Sequence, residues 1–202
     1  MEDLFEFIQS EYKDGEKLYV WIIGQFAAGK TTTSHKLENL LDNKYKVRIY
    51  PGGKYFLQTL NDDKDFKWHS GNYLPTGEDE ITITSGQFDI ERRKSLMRDL
   101  INFNGEICLI EEAVSIDSLG IRNQTFNDLL KLIPSAIFNK SVFVYLDCSF
   151  NKRLERNEGR GGLGVNMDYR KVNSEVFLRL SRQDDFKKEA IALKRPYKIF
   201  KS

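Results

Sequence analysis

The strongest constraint in this chain is an eight-residue run that follows a buried-strand pattern. Leu18-Tyr19-Val20-Trp21-Ile22-Ile23 is almost continuously apolar, as a strand covered on both faces of a parallel sheet must be. Gly24-Gln25-Phe26-Ala27-Ala28-Gly29-Lys30-Thr31 comes next and fits the spacing Gly-x-x-x-x-Gly-Lys-Ser/Thr. A helical pattern runs on from Lys30 to about Leu41. Strand, glycine turn and helix in that order make a phosphate-binding loop. Successive N–H groups turn inward toward phosphate oxygens, and the helix adds its positive N-terminal end. The reading that follows is an ATP site built by Gly24, Gln25, Phe26, Ala27, Ala28, Gly29, Lys30, Thr31 and Thr32. Lys30 reaches the β- and γ-phosphates in such a loop, and the Thr31 hydroxyl ligates Mg²⁺.

Beyond the loop, short apolar runs alternate with amphipathic stretches. That pattern predicts an α/β fold, a P-loop NTPase three-layer sandwich on a mostly parallel sheet of about five strands. Further strands are expected at Val47–Tyr50, Ile107–Ile110 and Val142–Leu146, with an edge strand in Pro196–Phe200. Helices are expected at Glu2–Glu11, Phe88–Phe103, Phe126–Ile133, from Asn151, and from about Tyr169 to Leu193. The polar, aromatic-rich stretch from Asn61 to Thr84 reads as a surface excursion. At 202 residues the chain is expected to form one domain, residues 1–202.

The third strand ends in Glu111-Glu112. An acid at the end of a buried strand beside a P-loop suits Mg²⁺ organisation or proton removal from an acceptor. Glu111 is the first candidate for both roles and Glu112 the second; Asp117 points toward the same crevice. Arg153, Arg156 and Arg160 fall in a stretch with Gly159, Gly161, Gly162 and Gly164, which suits an arginine-bearing lid at about 153–167. Such arginines neutralise charge on the transferring phosphoryl group and help exclude water. Lys30, Glu111, Arg153, Arg156 and Arg160 are thus the catalytic candidates. Arg92 and Arg93, on the helix before the third strand, are candidates to clamp an acceptor.

These parts resemble the thymidylate kinase and deoxynucleoside kinase superfamily. The loop is similar to the Gly-Asn-Ile-Ala-Ala-Gly-Lys-Ser-Thr loop of deoxynucleoside kinases. Arg48-Ile49-Tyr50-Pro51-Gly52-Gly53 is similar to the Arg-Glu-Pro-Gly-Gly element of thymidylate kinases. Phe88 to Arg93 sits where thymidylate kinases carry a monophosphate-binding arginine, and Tyr145-Leu146-Asp147 followed by the three arginines resembles the family's strand and lid. The resemblance implies ATP as donor, Mg²⁺, often a homodimer, and acceptor contacts at Arg48, Tyr50, Arg92, Arg93 and Glu112. Tyr50 stands where both families place a glutamate. Glu111-Glu112-Ala113 lacks the arginine that both place after the third strand.

Several classes are set aside. No Asn-Lys-x-Asp run reads guanine, since Asn139-Lys140 and Asn151-Lys152 both lack the aspartate. A net charge of +1 gives no global field for nucleic acid or an anionic membrane surface. No apolar stretch approaches the ~18 residues of a membrane span, and the acidic start Met1-Glu2-Asp3 is unlike a signal peptide; a cytoplasmic location is expected. Cys108 and Cys148 read as buried thiols rather than a disulfide or zinc pair. The function expected is ATP-dependent phosphorylation of a small-molecule nucleotide or nucleoside acceptor, with a thymidylate-like monophosphate first. The alternatives are a deoxynucleoside, a modified base in DNA read by Phe66, Trp68 and Tyr73, or ATP binding without turnover in a regulatory protein.

Overall fold

The computed structural model of the chain describes residues 1–62, 73–75, 81–159, 174–180 and 183–201. Strand β1 (Leu18–Gly24) is its axis, and every residue of it is buried. It lies between β5 (Ile107–Ala113) and β6 (Ser141–Asp147) in a parallel sheet of order β2-β5-β1-β6-β7. Strands β2 (Val47–Tyr50) and β7 (Tyr197–Lys201) form the edges, and all four pairings are parallel. The strand order reverses around β1, so the turn leaving it opens into the crevice where α/β sheets bind ligands.

Side-chain alternation sorts the strand into two cores. Leu18, Val20 and Ile22 join Leu4 and Ile8 of α1 (Glu2–Glu11) and Leu37 and Leu41 of α2 (Lys30–Leu41). Tyr19, Trp21 and Ile23 join Leu96, Met97 and Leu100 of α4 (Gln87–Ile101), with Phe126, Phe143 and Phe186. The three layers are therefore α1 and α2, the sheet, and α4 with the aromatic cluster. Along β5 the same alternation sends Glu111 toward α2 and Glu112 toward α4. Among the described residues no helix is long and apolar enough to cross a membrane.

Three departures from the sequence reading have local causes. Helix α3 (Gly52–Asp62) stands where Pro51-Gly52-Gly53 suggested only a stop. Gly52 is there for clearance: a Cβ would lie 2.8 Å from the Glu111 carbonyl. The expected helix to Ile133 is shorter, α5 (Phe126–Leu130), with a turn of helix α6 (Ser135–Phe138) after Pro134. The single long helix from about Tyr169 to Leu193 is replaced, in its described part, by α8 (Ser174–Leu180) and α9 (Phe186–Ala192). Asp184 and Asp185 end that regularity because both carboxylates accept backbone N–H groups, Asp184 from Phe186 and Asp185 from Phe126 and Asn127. Between Asn61 and Thr84 the described pieces are the end of α3 and a small antiparallel pair, β3 (Tyr73–Pro75) and β4 (Ile81–Ile83).

Candidate active site

Gly24 ends β1 and the chain turns through the loop into α2. Gly29 caps that helix at φ 94°, a left-handed conformation glycine adopts without penalty. Ala27 is also left-handed, at φ 57°. The Lys30 ammonium folds over the loop and donates to the carbonyls of Gly24 at 3.1 Å and Gln25 at 2.9 Å. Register places Glu111 beside Ile22, at the carboxyl end of the sheet. The Thr31 hydroxyl donates to Glu111 Oε2 at 2.8 Å. The P-loop threonine and the strand-end acid, 80 residues apart, thus meet on the α2 side. A hydroxyl and a carboxylate are hard oxygen ligands, the donor set Mg²⁺ takes, so Thr31 and Glu111 fit the ion.

Glu112 occupies the other face and is sealed from solvent. Its Oε1 accepts from Arg92 Nη2 at 2.5 Å and Arg93 Nε at 2.7 Å, and its Oε2 from Arg92 Nη1 at 2.9 Å. Burial alone would lift this carboxyl's pKa, but the two guanidinium groups outweigh it and hold it below the ordinary range. Arg92 is raised in turn, burial being outweighed by Glu112. Asp89, Arg92, Arg93, Leu96 and Leu100 are buried along α4 at helical spacing, so one face carries charge at its N-terminal end and apolar side chains farther on.

The loop after β5 extends this cluster. Val114 N–H donates to the Gly24 carbonyl, which ties the loop's start to the phosphate loop. Arg122 then grips Asp89 with Nε and Nη2, both at 2.7 Å. The Gln124 amide donates to Asp89 at 3.1 Å. Burial pushes the Asp89 carboxyl up, and the Arg122 contacts more than reverse it, leaving its pKa lowered. Asp117 accepts from the N–H groups of Leu119 and Arg122, each at 3.0 Å, and pairs with Arg179 of α8 at 3.1 Å. Sequence reasoning placed Asp117 in the crevice; the structure makes it the organiser of the loop. Asp89, Arg122, Gln124 and Arg179 carried no sequence signal, because their partners lie far along the chain.

The remaining candidates fall out differently. Tyr50 is buried with Phe103 edge-on at 6.0 Å, and burial raises its phenol pKa. Arg48 is exposed, its guanidinium 5.3 Å from the Tyr50 ring. Arg153, on α7 (Phe150–Glu158), turns inward and donates from Nε to the Cys148 carbonyl. Arg156 leans over the phosphate loop: Nη1 lies 3.4 Å from the Ala27 carbonyl and 3.4 Å from Cys148 Sγ. Arg160, most of the expected lid, and Phe66 and Trp68 lie outside the described residues, as do the side-chain contacts of Tyr73. Cys108 and Cys148 are buried and free.

No protein-family model and no curated protein sequence matches the chain. Solved structures do. Shikimate kinase from Acinetobacter baumannii, in complex with shikimate, aligns with 15% identity over 92% of this chain and 84% of its own, at a TM-score of 0.48. Deoxyadenosine kinase from M. mycoides, with bound dATP, aligns with 14% identity over 91% and 90%, at a TM-score of 0.43.

Proposed function

We propose that this chain is an ATP-dependent phosphotransferase whose acceptor is a nucleoside monophosphate, with a thymidylate-like nucleotide the first to try. The observation that carries it is the 2.8 Å contact between Thr31 and Glu111 at the mouth of a complete phosphate loop. Thr31 and Glu111 would hold Mg²⁺ there, and the ion would supply positive charge against the donor phosphates. The loop amides and the α2 N-terminus hold the β- and γ-phosphates, and Lys30 moves from its loop carbonyls onto them. Arg156 is placed to add positive charge along the same loop.

The buried acids support a phosphate acceptor over a hydroxyl. Four acids are buried among the described residues: Asp89, Glu111, Glu112 and Asp117. Glu111 is engaged by Thr31, Glu112 by two arginines, Asp89 by Arg122 and Asp117 by its own loop and Arg179. A hydroxyl acceptor needs a carboxylate ready to take its proton. Glu112 and Asp89, with depressed pKa values, are weak bases. A phosphate oxygen is already anionic and needs none.

The test is ADP release from ATP·Mg²⁺ against nucleoside monophosphates, nucleosides, and single- and double-stranded DNA, with Lys30→Ala as control. Release that requires a monophosphate and vanishes in the variant is the expected result. Release with nucleosides or DNA only would overturn the acceptor, and silence across the panel despite ATP binding would overturn the reaction.

A further inference from the structure

On the α4 side of the sheet four guanidinium groups, those of Arg92, Arg93, Arg122 and Arg179, face three carboxylates, those of Asp89, Glu112 and Asp117. Among the described residues the cluster thus holds one more guanidinium than carboxylate. Arg93 is wholly buried, and its Nη2 has no hydrogen-bond partner among the described residues. Buried charge uncompensated in this way is costly, and a bound anion would balance it.

The arginines differ in what they can offer. Arg92 has both terminal nitrogens on Glu112. Arg93 is sealed, with Nε on Glu112 and Nη1 on the Asn123 carbonyl. Arg122 spends Nε and Nη2 on Asp89, and its Nη1 has no partner among the described residues. Two carboxylates fix it: Asp89 grips the guanidinium and Asp117 holds the backbone N–H. Asp89 is itself steadied by Gln124, whose oxygen accepts from Ser115. A fork held this way loses little freedom when it meets a ligand.

We infer that Arg122 is the residue that binds the anionic group of the acceptor, through Nη1, and that Asp89 and Asp117 are its positioning residues. Arg92 and Arg93 instead form, with Glu112, the floor beneath it. The ligand class is a phosphomonoester. This rests on the acceptor reading above, but binding can test it apart from turnover.

The experiment is calorimetric titration of the whole chain, saturated with a non-hydrolysable ATP analogue and Mg²⁺, with thymidine monophosphate and, separately, inorganic phosphate. Arg122→Gln is expected to weaken thymidine monophosphate binding about 10-fold or more, because a charge-assisted contact is lost. The affinity for the ATP analogue should stay within about 2-fold, since Arg122 lies on the acceptor side. Arg122→Lys keeps the charge without the fork and should fall between the two; it decides the matter if Arg122→Gln fails to fold. Unchanged acceptor binding in the folded variants would overturn the inference, as would a parallel loss of both ligands. Wild-type protein that binds neither probe would overturn it as well. Binding that depends on Arg122 without any ADP release would leave this inference standing and sink the reaction. Monophosphate-dependent release indifferent to Arg122 would do the reverse.

Discussion

Glu112→Gln separates a structural carboxylate from a chemical one. In the native cluster Oε1 takes two N–H groups and Oε2 takes one. An amide oxygen in the Oε1 position can keep two of those bonds. The NH₂ group then faces Arg92 Nη1, donor against donor, and one charge-assisted bond worth about 1.5–3 kcal/mol is lost. Two buried guanidinium groups also lose their counter-charge. Removing one partner of a buried ion pair costs about 3–5 kcal/mol, against a total stability of about 5–15 kcal/mol for a domain. For a chain of this size that corresponds to a fall in Tm of about 6–20 °C. Guanidinium chloride titration is the assay, and the midpoint should drop with the slope unchanged. A variant with stability within about 1 kcal/mol of wild type but no turnover would refute the reasoning. Glu112 would then be acting on the substrate.

Acid should destabilise the protein through the same groups. Asp89 and Glu112 have depressed pKa values in the folded state, so the unfolded chain binds protons first as pH falls. Their contribution is complete above the ordinary carboxylate range of about 4 and is lost as pH falls toward the lower folded values; chemical denaturation across pH 3–6 should show an acid limb that Asp89→Asn flattens. Gly29→Ala places a Cβ on a residue at φ 94° and 3.3 Å from Arg156 Nη1, a strain of about 1–3 kcal/mol; calorimetry should show weakened ATP affinity, and unchanged affinity would mean the loop relaxes freely. Asp185→Ala removes the carboxylate that accepts the Phe126 and Asn127 N–H groups and should cost about 0.5–2 kcal/mol in thermal unfolding, with ATP binding unaffected.

The strand, loop and helix at the centre of this molecule were readable from sequence, and the buried ionic cluster was not, for a physical reason. A phosphate loop is local: its glycines, lysine and threonine act through backbone geometry within eight residues, and the apolar run of β1 fixes their place at the centre of the sheet. Glu111 could be added because strand ends converge there. Sequence also separates Glu111 from Glu112 once β5 is known, since neighbours on a strand face opposite ways. It cannot say what waits on each face. Glu112 meets residues 19 and 20 positions earlier, Arg122 meets one 33 positions earlier, and Asp117 meets Arg179 on a helix whose limits were misjudged. None of those residues taken alone names its partner, even where, as at Arg92, Arg93, Glu112 and Asp117, its place in the chain made it a site candidate. Tyr50 shows another limit: its place in a motif suggested a ligand contact, and the motif gives no sign that the face of β2 it shares with Arg48 sets its ring against Phe103. A buried ionic cluster is a poor source of stability, because apolar side chains of the same volume would serve as well or better. What it supplies is one fixed orientation for several guanidinium groups at the carboxyl edge of the sheet. In the reading proposed above, that fixed orientation serves the acceptor's anionic group, so the contacts least legible in the sequence are the ones on which the choice of acceptor rests.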